Sequence, residues 1–358
     1  MKTRRFITIL LIATALFATS SCSNNDKQSQ KSPKNVIVMI GDGMGTAQVY
    51  SLLLNSHEKT AFERFPYSGF SITKSASNEI TDSAAGGTAI AIGKKTTNKM
   101  VGMSPDSIAV PSMLEILAEQ GKKTGVVVTC SVTHATPADF IAHNINRNNN
   151  EEIALEIANK EKLDVLFGGG KKYFTERKDS VDLVGKMWEN GWNVYDSLEQ
   201  IEDNNARTMV VASRKHMVKA PERGDFLPKA TAKAIEMLDN ENGFFLMVEG
   251  SQIDFACHDN DSTTLVEEMI DFNKAINVVL DFAEKDGNTL VVVTADHETG
   301  GLTIVDPEGN YTRTDFKWST GSHSAVFVPV FSFGPGAEKF SGIMDNTDII
   351  NKIMEIVK

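Results

Sequence analysis

The feature that most constrains the fold is a series of short, continuously apolar runs separated by longer amphipathic stretches. The runs are residues 35–40, 124–129, 164–167, 244–248, 289–295 and 328–332. Runs of this kind are typical of strands that are buried on both faces. The stretches with helical spacing include residues 111–120, 229–238, 265–284 and 348–357. The alternation predicts an α/β fold with a mostly parallel central sheet and helices on both of its faces.

Length and charge limit the domain organisation and the partners. The chain has 358 residues, of which 41% are hydrophobic, enough for a sizeable core. No linker rich in proline or glycine divides it, so we predict a single catalytic domain over residues 35–358. The formal net charge of -11 argues against a nucleic acid or an anionic membrane surface as a partner. An anionic substrate would therefore need a local metal ion or arginine.

The N-terminus has the pattern of an export signal. Basic residues precede an apolar run over residues 6–18, which is too short to span a bilayer. Cys22 follows small residues, as in a lipoprotein signal, although Thr19 stands where leucine is usual. We predict a lipoprotein-type signal peptide over residues 1–21, a lipid anchor at Cys22 and a polar tether over residues 22–34. Plain cleavage nearby is the alternative, and both imply a periplasmic or cell-envelope location.

The first apolar run is followed by an aspartate between glycines. In open α/β sheets, ligands bind beyond the carboxyl ends of the strands. The motif GDGMG lacks the last glycine of a dinucleotide fingerprint, since that position is Thr46, and Asp42 would lie inside the phosphate-binding turn. A carboxylate exposed by flanking glycines instead suits a metal ion.

Further acids and histidines follow the fourth and fifth runs. Glu249 ends the fourth run, and Asp254 and His258 come next, four residues apart on one face of a predicted helix. Asp296 and His297 directly follow the fifth run. Each pair alone would have ordinary structural explanations. Ligand-type residues at three strand ends predict a site for several metal ions.

One more histidine, a threonine and an arginine complete the candidate set. His323 precedes the last apolar run. Thr136, which stands before Pro137, is a candidate ligand and equally a candidate helix start. Arg147 could grip two phosphate oxygens in this acidic protein, or be a solvated charge. Two metal ions are typical of phosphoryl chemistry.

The nucleophile of such chemistry has one prominent candidate. In TDSAAGGTA, Ser83 follows Asp82 and precedes a run of small residues. The run suits either a tightly packed helix or a serine presented at a helix N-terminus, where backbone N–H groups favour an anion. The four small residues after the serine would leave room for metal and substrate.

Six motifs, in this order, closely resemble those of the alkaline phosphatases, from about residue 36 to the final helix. They are IGDGMG, TDSAAGGTA, HATPADFIAH with the arginine that follows it, VEGSQIDFACH, TADHETGG and TGSHSAVFVPVFSFGPGA. The resemblance implies hydrolysis of phosphate monoesters at a site with two zinc ions and one magnesium ion. It also implies a homodimer. Only 25 residues lie between His297 and His323, so we expect a compact form without large insertions.

The resemblance implies a role for each matching residue. The implied ligand sets are Asp254, His258 and His323 for a first zinc, Asp42, Asp296 and His297 for a second zinc, and Asp42, Thr136 and Glu249 for magnesium. Ser83 would form a phosphoserine and Arg147 would hold the phosphate. Asp82 and His134 would lie next to the substrate.

Two positions depart from one well-known bacterial pattern of the family. His134 and Phe255 stand where that pattern has an aspartate and a lysine. The departures leave magnesium occupancy and the pH optimum open. Cys130 and Cys257 are too few for a disulfide framework, and the sequence does not tell whether they pair.

Other functions remain to be weighed against a phosphomonoesterase. A phosphodiesterase or nucleotide pyrophosphatase of the same superfamily would share the metal ligands. A lipoprotein that binds metal or phosphate without turnover is the rival outside the enzymes. A sulfatase would need proline two residues after the nucleophile, and that residue is Ala85.

Overall fold

The predicted apolar runs form neighbouring strands of one central sheet. The computed structural model describes residues 32–307, 309 and 313–357. Its strands, numbered β1 to β14 along the chain, are Asn35–Gly41, Tyr67–Ile72, Lys123–Ser131, Val165–Gly169, Trp192–Tyr195, Arg207–Val211, Phe244–Gly250, Thr289–Thr294, Glu298–Thr299, Leu302–Val305, Asp315–Trp318, His323–Ser324, Val328–Phe333 and Gly342–Asp345. All six predicted strands are present, and each of their ends lies within two residues of the predicted position.

Helices connect most of these strands. The α-helices, numbered α1 to α12, are Thr46–Asn55, Ser83–Ile92, Met113–Glu119, Ala135–Ile141, Asn150–Asn159, Lys172–Thr175, Leu183–Glu189, Ala220–Arg223, Phe226–Leu238, Gln252–His258, Ser262–Asp286 and Asp348–Ile356. Short 3₁₀ helices cover Ala61–Arg64, Leu198–Gln200 and Ala337–Phe340. Every predicted helix is confirmed, and α9 and α11 each begin three residues before the predicted start.

The central sheet is mostly parallel, as predicted. Among the described residues it has ten strands in the order β14-β2-β13-β8-β1-β7-β3-β4-β6-β5. All neighbouring pairs are parallel except those of β13, which is antiparallel to both β8 and β2. The segment before β13 therefore lies at the same edge of the sheet as the segments that follow the parallel strands. That edge carries the candidate site.

Both faces of the sheet are covered. Along β1, Val36, Val38 and Ile40 pack into one buried apolar cluster. Ile37 and Met39, which point the other way, pack into a second cluster on the opposite face. Full burial of such side chains contributes about 1.5–3 kcal/mol each. The α/β architecture with helices on both faces is thus confirmed.

The segment between the fifth and sixth predicted strands is short and folded locally. Strands β9 and β12 pair with each other, and β10 pairs with β11. The described residues, from 32 onward, belong to one compact unit. The described helices include none that is both long and apolar enough to cross a membrane. The predicted signal peptide, Cys22 and most of the tether lie outside the described residues.

Candidate active site and metal centre

Three adjacent strands bring the candidate acids together. In the sheet, β1 lies between β7 and β8, and Ile40 is paired with Glu249 on one side and Thr294 on the other. Asp42 follows Ile40 by two residues and Asp296 follows Thr294 by two residues. The carboxylates of Asp42, Glu249 and Asp296 therefore lie close together at the carboxyl edge of the sheet. All three are fully buried. The convergence follows directly from the parallel topology.

Asp42, Asp296 and His297 form the first of two compact clusters. The Nε2 atom of His297 lies 3.4 Å from Oδ1 of Asp42 and 3.2 Å from Oδ2 of Asp296. Both Asp42 oxygens and Oδ2 of Asp296 are buried without a hydrogen-bond partner in the described part of the chain. Donor atoms about 2.0–2.1 Å from a tetrahedral zinc ion are about 3.3 Å apart. The cluster therefore fits a zinc ion in both spacing and chemistry.

Asp254, His258 and His323 form the other cluster. The two imidazole Nε2 atoms are 3.1 Å apart, and Oδ1 of Asp254 lies 3.4 Å from that of His258 and 3.7 Å from that of His323. Each Nδ1 lies 2.8 Å from a backbone carbonyl, of Gly321 or Thr81, to which it donates. Both Nε2 atoms then carry lone pairs that face each other. Such an arrangement is typical of a metal site.

The two clusters are in contact. The rings of His297 and His323 stack with centroids 3.6 Å apart. Donor atoms of Asp254, His297 and His323 also lie within 4.8 Å of one another. His297 is thus within reach of both candidate ions.

Thr136 and Glu249 supply a third group of donor atoms. The hydroxyl of Thr136 and Oε1 of Glu249 are buried and have no partner among residues 32–307 and the other described residues. Helix α4 begins at Ala135, with His134 at its N-cap, so Thr136 is not the helix cap. Together with Asp42 the pair offers oxygen donors of the kind that magnesium prefers.

The electrostatics of the site favour the binding of cations. Burial raises the pKa of Glu249 to about 8, with a further contribution from Asp296. Burial likewise raises the pKa of Asp296 to about 6 and that of Asp42 well above its usual range, where repulsion from Asp296 adds to it. Burial lowers the pKa of His297, which keeps it neutral. Buried carboxylates of this kind ionise readily only when a cation binds them.

Ser83 is the first residue of α2, as predicted. Asp82 caps the helix, and its Oδ1 accepts a hydrogen bond of 3.0 Å from the backbone N–H of Ala85. The Ser83 hydroxyl lies 3.1 Å from Nε2 of His297, beside the first cluster. The positive end of the helix dipole and the free N–H groups of its first turn face the same place.

Arg147 is held beside Ser83 by two side chains. Its Nη1 lies 3.3 Å from Oδ2 of Asp82, and its Nη2 lies 3.2 Å from Nε2 of His134. Asp82 thus both caps α2 and positions the arginine. Because a guanidinium only donates, Nε2 of His134 accepts. The proton of the neutral ring then lies on Nδ1, which is buried and has no partner among the described residues.

Thr299 links the two clusters and was missed by the sequence reasoning. Its hydroxyl lies 2.6 Å from Oδ1 of Asp254, to which it donates, and 3.1 Å from Nδ1 of His297. A hydroxyl has one proton, so its oxygen accepts from His297. This leaves the Nε2 lone pair of His297 directed at Ser83 and the acids. The one hint in the sequence was that Thr299 follows the candidate ligand His297 by two residues.

Glu298 fastens the loop that carries these ligands. It is buried, and its carboxylate accepts from Gln48 at 2.8 Å and from the backbone N–H groups of Gly301 and Leu302, both at 3.2 Å. The hydroxyl of Ser324 also donates to it. The adjacent pairing of β9 with β12 places His323 opposite Thr299.

The surroundings of His134 hold two further residues. The rings of His216 and Phe255 lie 5.5 Å and 5.7 Å from that of His134, and 5.0 Å from each other. Sequence reasoning left His216 out of the site, since no motif surrounds it. Cys130, whose Sγ lies 3.5 Å from Oε2 of Glu249, was also left out. Both Cys130 and Cys257 are buried free thiols.

The two glycines of α2 pack closely against neighbouring residues. A Cβ atom on Gly86 would lie 2.6 Å from the backbone oxygen of Asp296, and one on Gly87 would collide with the carboxylate of Asp139. Close packing of α2 against these residues excludes larger side chains at these two positions, and the room expected for metal and substrate stays a prediction.

Comparison with known proteins decides the family. A profile of the alkaline phosphatases matches residues 33–312. Alkaline phosphatase 4 of Bacillus subtilis (strain 168) is 34% identical over an alignment that covers 98% of this chain and 95% of the relative. The chain belongs to the alkaline phosphatase family. It is a phosphoric monoester hydrolase with the family's type of metal centre.

Solved structures of alkaline phosphatases share the fold. The enzyme of the Antarctic bacterium TAB5 is 41% identical, with a TM-score of 0.88 over 92% of this chain and 98% of its own. A variant of that enzyme, in which a glutamate replaces a histidine, is described with magnesium bound in one of its metal sites. It aligns with a TM-score of 0.87 over 92% of this chain and 99% of its own, at 41% identity. The recognition made from six motifs is thus confirmed, while the role of each site residue stays a prediction.

Proposed function

We propose that this alkaline phosphatase hydrolyses phosphate monoesters through a phosphoserine on Ser83, at a site for two zinc ions and one magnesium ion. The observation that carries the proposal is the position of the Ser83 hydroxyl, 3.1 Å from Nε2 of His297 at the N-terminus of α2. Nucleophile, anion site and metal-type donors meet at that one point.

The ions are assigned by donor chemistry. The proposed ligands are Asp254, His258 and His323 for one zinc, Asp42, Asp296 and His297 for the other, and Asp42, Thr136 and Glu249 for magnesium. Buried donor atoms without hydrogen-bond partners in the described chain support the assignment. Magnesium in a variant of the Antarctic relative supports a site for that ion in this family. When bound, the ions stabilise the developing negative charge and lower the pKa of the attacking group.

The chain's own residues perform the bond changes. The Ser83 hydroxyl releases its proton to solvent, and its oxygen attacks phosphorus. A Ser83–phosphorus bond forms, the bond from phosphorus to the alcohol oxygen breaks, and that oxygen takes up a proton from solvent. The guanidinium of Arg147 donates to two phosphate oxygens, while Asp82 keeps its hydrogen bond to the same guanidinium and positions it. Water then attacks the phosphoserine, which releases inorganic phosphate and restores the serine. The first turn of α2 stabilises the anion in both steps.

A comparison of substrates separates this proposal from its rivals. Release of an aryl alcohol is measured from a phosphomonoester and from the matching diester, with chelated and zinc-reconstituted protein and with Ser83→Ala. We expect faster monoester turnover that requires zinc, and a loss of at least about 10³-fold in kcat for the variant with its metal content unchanged. Faster diester turnover would favour a phosphodiesterase. Absence of zinc-dependent turnover of either substrate would favour a binding lipoprotein.

We also propose a homodimer. Tyr50, Phe70 and Phe327 are 52%, 41% and 45% exposed, and the rings of the two phenylalanines are 6.3 Å apart. Tyr50 and Phe70 line a groove of about 210 Å³ together with Leu53 and Phe331. Exposed apolar area of this kind is typical of protein interfaces. Light scattering that finds a monomer at micromolar concentration would contradict the proposal.

Export and anchoring complete the proposal. The basic and apolar pattern of residues 1–21, followed by Cys22, supports cleavage and lipidation at the cell envelope. The mature N-terminus and its mass, measured on protein from membranes, test both. If the wild-type protein is found in the soluble fraction and carries no lipid, anchoring at Cys22 is contradicted and plain signal-peptide cleavage is the remaining alternative.

A further inference from the structure

His143, the last residue of the motif HATPADFIAH, has an acceptor at each of its two ring nitrogens. Its Nδ1 lies 2.7 Å from the backbone oxygen of Gly102, and its Nε2 lies 3.2 Å from Oε1 of Glu115. A carbonyl oxygen and an ionised carboxylate only accept hydrogen bonds, so both ring nitrogens must donate. A neutral imidazole has one N–H group, and the geometry therefore fits the imidazolium ion, which has two.

The charged groups around the ring favour this ionised state. Glu115 lies on α3 and also accepts from Nζ of Lys160, at the end of α5, at 2.7 Å. Burial would raise the pKa of Glu115, but hydrogen bonds from His143, Lys160 and a backbone N–H group outweigh it and lower the pKa to about 2. Burial and the charge of Lys160 would lower the pKa of His143, but its bonds to Glu115 and the carbonyl outweigh them and raise it. Glu156 of α5 also faces this position, where it accepts from the backbone N–H of His143 at 2.7 Å.

The chain around His143 pairs with residues 99–102. Val101 and Asn144 exchange two backbone hydrogen bonds of 2.9 Å each. The ring of His143 extends this pairing by its own bond to the same segment. The ring thus joins two segments to each other and, through Glu115, to α3.

The arginine proposed to hold phosphate and its acidic partner are held by the same pairing. The backbone N–H of Arg147 donates to the carbonyl of Lys99 at 2.8 Å. The N–H of Lys99 donates to both oxygens of Asp82, at 3.0 Å and 3.2 Å. Asp82 in turn accepts from Nη1 of Arg147 at 3.3 Å. A displacement of residues 99–102 would therefore move the arginine and its partner together.

We propose that His143, as an imidazolium, is a positioning residue for Arg147, and that loss of one ring proton as pH rises lowers the affinity of the site for phosphate. The inference rests on the proposed function, because that function assigns Arg147 to phosphate. The proton leaves one ring nitrogen for solvent, and that nitrogen then directs a lone pair at the acceptor that it faced. One of the two hydrogen bonds breaks, so either the pairing or its attachment to α3 is weakened.

Phosphate affinity across a range of pH tests the proposal. Inorganic phosphate is titrated calorimetrically into metal-loaded protein between about pH 6 and about pH 10, and the metal content of each sample is measured. His143→Gln does not titrate and presents an N–H group to only one of the two acceptors. The matched control is His57→Gln, which alters an exposed histidine. The ratio of the variant Kd to the wild-type Kd removes the pH dependence that phosphate itself contributes to both proteins.

The difference between His143→Gln and the wild type should be largest at low pH. Below 6.5, the usual histidine pKa, we expect the variant to bind phosphate about 2- to 30-fold more weakly with unchanged metal content. Because the pKa of His143 is raised in the folded protein, the wild-type ring keeps both protons there and loses one only at higher pH. The ratio should therefore fall toward one as pH rises, and His57→Gln should bind like the wild type throughout. A ratio that does not change with pH would overturn the inference.

NMR of histidine-labelled protein gives a second measurement, which does not depend on activity. We expect both ring nitrogens of His143 to carry protons at about pH 6. Glu115→Gln, which keeps a side chain suited to the cap of α3, should lower the pKa of His143 and move the loss of phosphate affinity to lower pH. This variant serves if His143→Gln does not fold. A singly protonated ring at about pH 6 would overturn the inference. A wild type that binds no phosphate at any pH would instead count against the proposed function, while the spectrum would still decide the protonation of His143.

Discussion

The hydroxyl of Thr299 makes a hydrogen bond to a residue of each candidate zinc cluster. Thr299 donates to Asp254 at 2.6 Å and accepts from His297 at 3.1 Å. The first bond orients a carboxylate of one cluster, and the second selects the ring tautomer of the other. A partner of this kind normally raises metal affinity or activity about 10–100-fold.

Replacing Thr299 with valine removes both bonds and preserves the side-chain shape. We expect Thr299→Val to lower zinc affinity, and with it kcat/KM, by about 10–100-fold. Isothermal titration of metal-free protein with zinc measures the first quantity and initial rates measure the second. Thr299→Ser should restore most of both, since it keeps the hydroxyl. Equal zinc affinity in the valine variant and the wild type would show that the hydroxyl only fills space.

The proposed ligands could be picked out from the sequence, whereas Thr299 could not. Asp42, Asp296 and His297 are residue types with strong metal preference at the ends of apolar runs, and both features are visible in one dimension. The role of Thr299 depends on Asp254, which is 45 residues away. Residue type alone does not distinguish this threonine from any other in a loop.

At the scale of elements, the direction of β13 explains why His323 can belong to the site although it precedes a strand in the sequence. The other site residues follow strands, whereas β13 is antiparallel to β8 and begins at the carboxyl edge. The sequence predicted the strand and the histidine but not this direction. Four strands of the sheet were not predicted. Three of them, β2, β5 and β14, are partly exposed and lie at or next to the sheet edges, so they lack continuous apolar runs. The fourth, β6, is mostly buried, and its run of five residues was missed.

Helix α2 is pressed against the backbone of the ligand loop, which makes Gly86 a sensitive position. A Cβ there would lie 2.6 Å from the oxygen of Asp296, and a backbone group cannot rotate away as a side chain can. We expect Gly86→Ala to destabilise the fold by about 1–3 kcal/mol, despite the better helix propensity of alanine. It should also displace Asp296 and weaken zinc binding.

Gly87→Ala is the matched control for that effect. Its Cβ would meet the side chain of Asp139, which is buried behind the helix, and not a proposed ligand. Urea unfolding should therefore show a loss of stability for both variants, while zinc titration should show weaker binding only for Gly86→Ala. Similar zinc affinity in the two variants would contradict the proposed displacement of Asp296.

For the whole molecule, the site is a concentration of buried negative charge that the folded protein tolerates best when cations are bound. Asp42, Asp254, Glu249 and Asp296 lie together, and burial and the three other carboxylates raise the pKa of Asp42, while Arg147 lowers it. The net charge of -11 adds no neutralising field. Stability should therefore depend on metal and on pH together.

The metal-free protein should become less stable as pH rises from 3.8, the ordinary pKa of Asp296, to about 8, the pKa of Glu249 in the folded state. The pKa of Glu249 is about 8 in the folded state against an ordinary 4.5, and that of Asp296 is about 6 against 3.8. Within this window the unfolded chain has released protons that the folded chain retains, so the free energy of unfolding falls with rising pH. Below it both states are protonated and the stabilising contribution is fully present.

Zinc should reverse this trend, because it binds the ionised carboxylates. At a free concentration of about 1,000 times Kd, one site adds about 4 kcal/mol to the free energy of unfolding and raises Tm by several degrees. Thermal melts at pH 5, 6.5 and 8, with and without zinc, measure both effects, and Glu249→Gln tests their origin. The variant should flatten the pH dependence of the metal-free protein, since the amide does not titrate. A metal-free wild type that grows more stable between pH 5 and 8 would show that these carboxylates are ionised in the fold without a cation.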